Sequence, residues 1–518
     1  MMPARLVDLL ADVAVVATNG RVSEVVVDDV TQESSLVRPG SLFCCRRGLK
    51  TDGHRYAVEA VERGASALLV ERPQQLEIPQ VVVADAARAL PQVAAAAWGH
   101  PSRRLRLVGV TGTNGKTTTT YLLRTILTAH GWPTEVIGTL SGALTTPDPT
   151  ELQRRLAEMV ATGVEAAAME VSSHGLVQRR VDATSFSVGV FTNLDRDHLD
   201  YHTDMASYFE AKASLFSAVR TSVGVVNSDD PWGARLLESS PTPVVAYTTA
   251  GASVRVGDSA STFRWQGRRV RLPLAGRFNV SNALAAATTA EALGVPADVV
   301  ASALSTAVGP PGRMEVIDMG QPYRVVVDCA HTPSALRQVM HTLARRRAGR
   351  LIVVFGCGGD RDRTKRPEMG ALVTRHADVG ILTSDNPRTE APDRIFADVL
   401  AGGPSLVVEF DRRAAIALAV GGARAGDTVL IAGKGNQTIQ QIGSTGVPFD
   451  DRDVARQEIA SVTPMGSREV SARPQRPARL VHGPQDPSMK PIVRFQASSD
   501  SSVKSDWERS KNECGAPG

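Results

Sequence analysis

Val108-Gly109-Val110-Thr111-Gly112-Thr113-Asn114-Gly115-Lys116-Thr117-Thr118 follows the apolar run Leu105-Arg106-Leu107-Val108 and opens a helical pattern. Strand, glycine-rich turn and helix in that order aim successive backbone N–H groups and the positive end of a helix dipole at one point, which suits a polyphosphate. Gly112, Thr113, Asn114, Gly115, Lys116, Thr117 and Thr118 are therefore candidate nucleotide-binding residues, with Lys116 reaching the outer phosphates and the Thr117 hydroxyl placed for Mg²⁺. The stretch departs from G-x-x-x-x-G-K-[ST]: Val110 holds the first glycine position, and the glycines fall at 109, 112 and 115.

Around this loop, 518 residues are too many for one core and point to about three domains, with 42% hydrophobic residues to bury. Aromatic residues are only 4%, which argues against stacking on nucleic-acid bases. The net charge of +4 is concentrated in the tail: residues 467–518 hold nine Lys/Arg against six Asp/Glu, leaving no basic footprint elsewhere for a nucleic acid. Five cysteines (44, 45, 329, 357, 514) fit neither a disulfide framework nor C-x-x-C metal pairs, favouring a reducing compartment. The start Met-Met-Pro-Ala-Arg lacks a signal-peptide core and no apolar run is long enough to span a bilayer, so a cytoplasmic protein without a membrane partner is expected.

Before the loop, strand patterns at Glu24 to Val27, Ala67 to Val70 and Gln80 to Val83, a helix near Ala57 to Arg63 and an alanine-rich helix from Ala84 to Trp98 predict a small α/β unit. After it, Ala166 to Glu170 reads as a buried strand ending in a carboxylate followed by Ser172-Ser173-His174-Gly175. Ser187 to Phe191 reads as another, running into Thr192-Asn193-Leu194-Asp195-Arg196-Asp197-His198. Ligands of open α/β sheets lie at the carboxyl ends of strands, so Glu170, His198 and the Thr117 hydroxyl form a plausible hard-cation set. Lys212 falls off the apolar stripe of the helix Tyr208 to Phe216 and by itself reads as an exposed lysine. In Phe278-Asn279-Val280-Ser281-Asn282 the asparagines Asn279 and Asn282 face a nucleotide or cap a helix. Beyond Gly312-Arg313-Met314-Glu315, strand patterns at Arg324 to Val327, Leu351 to Phe355, Val379 to Thr383 and Thr428 to Ala432 alternate with helices and predict a second mostly parallel sheet.

Taken together, Gly112 to Thr118, Glu170 to Leu176, Thr192 to Asp200 and Phe278 to Asn282 resemble the Mur ligases of peptidoglycan synthesis, over about residues 20 to 460. The resemblance implies an α/β fold of three domains: 1–102 for the UDP end of the substrate, 103–310 as a central P-loop ATPase and 311–463 as a Rossmann-like domain that brings in the amino acid. Residues 464–518, rich in Pro, Ser, Gly, Arg and Asp, read as a disordered tail.

Carried over position by position, the resemblance makes ATP and Mg²⁺ the cofactors and puts metal on Thr117, Glu170 and His198, with Lys212 carbamylated as an anionic ligand for a second Mg²⁺. Lys116, Glu170, His198 and Lys212 then carry catalysis, while Asn279, Asn282, Arg313, Asp328 and His331 join the loop on the nucleotide. Ser34, Leu49, Lys50 and Thr51 match the uridine end, and Thr145, Thr146, Ser172, Gln178 and Arg180 match the muramoyl-peptide. The partners implied are UDP-N-acetylmuramoyl-dipeptide and a diamino acid, with the enzyme a monomer. Asp385-Asn386-Pro387-Arg388, with Arg361 and Gly433, resembles the members that add meso-diaminopimelate, since a guanidinium bonds a second carboxylate bidentately.

Four departures accompany the likeness. Ser35 stands where the family shows Arg, Cys329 replaces a Tyr, and Asn436 and Gln437 replace His and Glu. They keep open a paralogue running the same chemistry on another acid and amine. A P-loop ATPase coupled to partner binding needs neither Lys212 nor Arg388, and a binding-only pseudoenzyme is disfavoured by the retained loop, Glu170, His198 and Lys212.

Overall fold

The computed structural model describes residues 1–48, 51–345 and 348–462. Leu49 and Lys50, and the tail from 464, lie outside the described residues. Three main sheets form the framework. The first runs Val15–Asn19, Gln80–Val83, Ala67–Val70, Ser41–Cys44, Asp29–Thr31, parallel except for its first strand. The strand expected at Glu24 to Val27 is corrected: Val22–Glu24 is a 3₁₀ turn, and only Val26–Val27 pairs, antiparallel to Ala4–Arg5. Val22 and Val25, three apart, are both buried there, a spacing that a 3₁₀ turn places on one side and an extended chain does not.

In the central sheet six parallel strands lie in the order Val244–Tyr247, Thr221–Asn227, Phe186–Phe191, Arg106–Thr111, Ala166–Glu170, Thr134–Ile137. Its strands are near-continuous apolar runs because helices cover both faces. The strand before the glycine-rich turn is thus flanked by Phe186–Phe191 and Ala166–Glu170, so the two acid and imidazole clusters emerge beside the turn. Gly109 is required within that strand, where a Cβ would stand 2.8 Å from the Phe186 ring. The helices Lys116–Ala129 and Arg277–Ala292 bury Leu122, Leu123, Ile126 and Leu127 against Val280, Ala283 and Ala287 in one core. Ile126→Ala there should cost about 2–5 kcal/mol.

The third sheet starts with Glu315–Ile317 antiparallel to Arg324–Asp328 and continues in parallel through Thr428–Ala432, Leu351–Phe355, Val379–Leu382 and Val407–Val408. The mostly parallel second sheet expected from the sequence is therefore present. Two antiparallel pieces had not been anticipated. One is the ribbon Arg255–Val256, Ser261–Trp265, Arg268–Leu272, whose turn Gln266-Gly267 has positive φ at both residues. The other is the hairpin Ile439–Ile442 with Thr445–Pro448.

Candidate active site

The glycine-rich turn is held open by its neighbours. Gly112 has φ +143° and Gly115 φ +87°, and a Cβ at these positions would collide with Thr192 Oγ1 and Asn282 Oδ1 respectively. Thr192 Oγ1 and Asn193 Nδ2 donate to Asn114 O at 2.6 and 3.1 Å, and Asn114 N donates to Asn193 Oδ1 at 3.0 Å. Gly115 caps the 14-residue helix without a side-chain acceptor, so the amides of its first turn face the loop.

Two lysines converge on one carbonyl. Lys116 Nζ donates to Gly112 O at 2.8 Å and Thr113 O at 3.0 Å, while Lys212 Nζ donates to the same Gly112 O at 2.9 Å. Lys212 is only 1% exposed and stands over the Tyr208 ring, which corrects its reading as a surface lysine. The helix Met205–Ala213 turns Tyr208, Phe209 and Lys212 inward together, and i, i+4 spacing stacks Lys212 on Tyr208. Burial, reinforced by the Lys116 charge, carries the Lys212 ammonium well below its ordinary pKa despite the opposing pull of Asp197. Burial also lowers Lys116.

Glu170 stands one strand over. Its Oε1 accepts from Thr117 Oγ1 and from Thr139 N, both at 3.0 Å, and its Oε2 accepts from Thr139 Oγ1 at 3.2 Å. The expected muramoyl-peptide positions form one network beside it. Thr145 Oγ1 meets Thr139 Oγ1 at 3.1 Å, Thr146 Oγ1 meets Ser172 Oγ at 3.0 Å, and Arg180 donates to Thr146 O at 2.8 Å and to Gln178 Oε1 at 2.7 Å. Arg46, which the sequence reading missed, reaches across from the first sheet to Gln178 O at 3.2 Å. Ser34 opens a short 3₁₀ turn, and neither it nor Thr51 joins this network among the described residues.

His198 adopts φ +56°, a left-handed backbone uncommon for this residue, and its imidazole is pushed down to about 3 by burial, only partly offset by Asp197. Asp197 is the hub that the sequence did not single out. Its carboxylate lies 3.5 Å from His198 Nε2, 3.7 Å from His331 Nε2 and 3.4 Å from Lys365 Nζ. Burial would raise Asp197, yet the His331 hydrogen bond and the Lys365 charge carry it well below the usual carboxylate range. His331 and Lys365 belong to the third-sheet region, so this hub ties it to the central one. Arg313 does so as well, donating to Thr117 Oγ1 at 3.2 Å and contacting Cys329 Sγ.

A cavity of about 500 Å³ opens beside the loop, lined among others by Asn114, Gly115, Thr118, Asn279, Asn282, Arg313, Asp328 and Cys329. Asn279 and Asn282 lie inside the helix that begins at Arg277, so they line the cavity and do not cap the helix. Asp328 holds Met314 N and Ala330 N at 2.8 Å each, and burial raises its pKa.

Farther along the third sheet, Asp385, Asn386, Pro387 and Arg388 form a loop beside Gly433, whose added Cβ would sit 2.7 Å from Asp385 Oδ2. Arg388 Nη1 donates to Gly359 O at 2.6 Å, and Arg361 is close enough to depress the already half-buried Arg388 further. Gln437 Oε1 accepts from Asn386 Nδ2 at 2.8 Å, so the oxygen of this amide is turned into the protein.

Among the described residues no three His, Cys, Asp or Glu side chains stand together as a metal cage. Glu170 and the Thr117 hydroxyl, bonded to each other at 3.0 Å beside the phosphate loop, are instead the oxygen groups that suit a Mg²⁺ ion taking its remaining oxygens from a phosphate substrate and water.

A glycine-rich turn at a helix N-terminus, opening on a cavity lined from both the central-sheet and the third-sheet regions, suits a nucleotide. Residues 27–104 match the Mur ligase family catalytic domain, 110–290 the Mur ligase middle domain and 312–435 the Mur ligase glutamate ligase domain; the chain belongs to the Mur ligase family. It is 42% identical, over 86% of its length and 94% of the relative's, to the UDP-N-acetylmuramoyl-L-alanyl-D-glutamate--2,6-diaminopimelate ligase of Geobacter metallireducens. The ligase of that name from Streptomyces avermitilis is 43% identical, over 84% of this chain and 92% of its own. A solved structure of a ligase of that name superposes with TM-score 0.62 at 32% identity, covering 89% of this chain and 99% of the other.

Proposed function

We propose that this chain is an ATP-dependent amide ligase that adds meso-diaminopimelate to UDP-N-acetylmuramoyl-L-alanyl-D-glutamate in peptidoglycan precursor synthesis. The observation that carries the reading is a phosphate loop whose Thr117 bonds Glu170 at the end of one flanking strand, while Asp197, next to His198 beyond the other flanking strand, pairs with Lys365 and His331 of the third-sheet region. The substrate carboxylate takes the γ-phosphoryl group of ATP, giving an acyl phosphate and ADP. The amine of the incoming amino acid then attacks the acyl carbon, and the C–O bond to phosphate breaks. Thr117, Glu170 and His198 would hold Mg²⁺, which when bound would supply charge neutralisation at the phosphoryl oxygens.

The chain's own groups do the rest. The amides after Gly115 and the Lys116 ammonium receive the phosphate charge. Thr145, Thr146, Ser172, Gln178 and Arg180 position the peptide carboxylate, with Ser34, Leu49, Lys50 and Thr51 toward the uridine end. Asn279, Asn282, Arg313, Asp328 and His331 hold the nucleotide. Lys212 is carbamylated in the working enzyme: a buried amine driven toward its neutral form attacks CO₂ readily, and the product replaces a destabilised cation by an anion. Arg388, with Arg361, Asp385, Asn386, Pro387, Gly433 and Gln437, selects the second carboxylate of the amino acid. Losing such a contact leaves buried polar groups unpaired at about 1–3 kcal/mol, roughly tenfold to a hundredfold in selection.

The work is divided among 1–102, 103–310 and 311–463, and the enzyme acts in the cytoplasm as a monomer. No helix among the described residues is long and apolar enough to cross a membrane. Kinetics with meso-diaminopimelate and lysine as competing amines test the reading, which requires diaminopimelate to be preferred at least tenfold.

A further inference from the structure

Arg388 is held in a conformation its side chain does not favour. Its φ is +53°, in the left-handed region where a non-glycine residue is uncommon and persists only if its surroundings impose it. The surroundings are the hairpin Ile439–Ile442 with Thr445–Pro448. Arg388 N donates to Gln441 O at 3.0 Å, and Gly443 N, at the hairpin turn, donates back to Arg388 O at 2.7 Å. The preceding residues are held from the same strand: Gln441 N donates to Asn386 Oδ1 at 2.8 Å, and the buried Gln440 side chain donates to Asp385 O at 2.8 Å. With the backbone so fixed, the guanidinium lies against Gly359 O and close over Gly358, where a Cβ would stand 2.9 Å from Arg388 Nη1 and 3.7 Å from Arg361 Cγ.

We propose that this hairpin, through Gln440, Gln441 and Gly443, is the positioning element for amino-acid selection. It bends the 385–388 loop into the strained form that brings the Arg388 and Arg361 guanidiniums to bear on one carboxylate of the incoming amine. The hairpin touches no reacting atom; it sets where Arg388 points. The inference rests on the proposed ligase reading for the identity of the amine, but not for the strain.

Two arms test it. In the first, Gln441→Pro removes the N–H given to Asn386, and Gln440→Met removes the donor to Asp385. In each, the meso-diaminopimelate KM should rise and its preference over lysine fall at least tenfold, while the ATP KM and the kcat at saturating diaminopimelate stay within about twofold. Unchanged preference in both folded variants would overturn the proposal, since a merely structural hairpin predicts it. In the second arm, Arg388→Gly and Arg388→Ala both delete the guanidinium but only glycine relieves the positive φ, so Arg388→Gly should melt at the higher temperature. Equal melting temperatures would refute imposed strain. A wild type indifferent to diaminopimelate would sink the substrate reading, and with it the hairpin's role in selection, while the melting comparison would still decide on the strain at Arg388.

Discussion

Lys365 Nζ lies 3.4 Å from Asp197 Oδ1, with both side chains less than a tenth exposed. The pair joins the third-sheet region to the strand end that carries His198, so the seating of one region bears directly on the imidazole of the other. Deleting the cation leaves a buried carboxylate dependent on two histidines. Lys365→Met should therefore destabilise the protein by about 3 kcal/mol, the low end for breaking a buried pair because His331 and His198 remain. Denaturant titration reads this, and a change under about 0.5 kcal/mol would mean that the contact contributes nothing.

Lys116→Ala should abolish ATP turnover and leave the melting temperature nearly unchanged. Among the described residues its ammonium bonds carbonyls of its own loop, Gly112 and Thr113, and no side chain. Phosphate release at the wild-type rate from the folded variant would remove the loop from the mechanism.

For Lys212 the expectation is that activity depends on a carbamate. Lys212→Ala should be inactive and Lys212→Glu partly active, and bicarbonate added to CO₂-depleted wild type should restore the rate. Full activity of Lys212→Ala in CO₂-depleted buffer would show that the buried lysine acts only through packing and its bond to Gly112.

The His198 imidazole makes stability pH-dependent with a definite sign. In the unfolded chain it takes a proton near 6.5, in the fold only near 3, so between these values the unfolded state binds more protons. Stability should therefore fall as pH drops from about 6.5 toward 4.5, above the range where most carboxylates titrate. In EDTA-treated protein, His198→Gln should lessen the slope of melting temperature against pH over that range, the rest coming from His174 and His202, which burial also lowers; an unchanged slope would assign the whole effect to those groups.

Much of this architecture was legible in the chain. Ala67–Val70, Gln80–Val83, Ala166–Glu170, Leu351–Phe355 and Thr428–Ala432 begin and end where the apolar runs do, because strands buried on both faces must be apolar throughout. The phosphate loop was legible because its glycines answer to local geometry. The burial of Lys212 was not, since its stripe position argued for solvent and only the stack on Tyr208 and the carbonyl of Gly112, 100 residues away, bring it inside. Asp197 was passed over because its partners Lys365 and His331 lie in the connections of another sheet, more than 130 positions away in the chain. Gln437 could be recognised as a departure, but its turn toward Asn386 depends on a neighbour 51 positions away.

That turn has a consequence for selection. With its oxygen engaged by Asn386, Gln437 gives no acceptor charge to a substrate ammonium, so Gln437→Glu should lower the diaminopimelate KM. No change on that substitution would place the ammonium of the bound amino acid elsewhere.

The ligase account is tested most directly by incubating the protein with ATP, Mg²⁺, UDP-N-acetylmuramoyl-L-alanyl-D-glutamate and either meso-diaminopimelate or lysine, and following ADP and product mass together. The account predicts one ADP per tripeptide product formed, with diaminopimelate consumed at least tenfold more efficiently than lysine. ADP formation that neither amine nor the UDP-linked acid influences, with no product of higher mass, would contradict it.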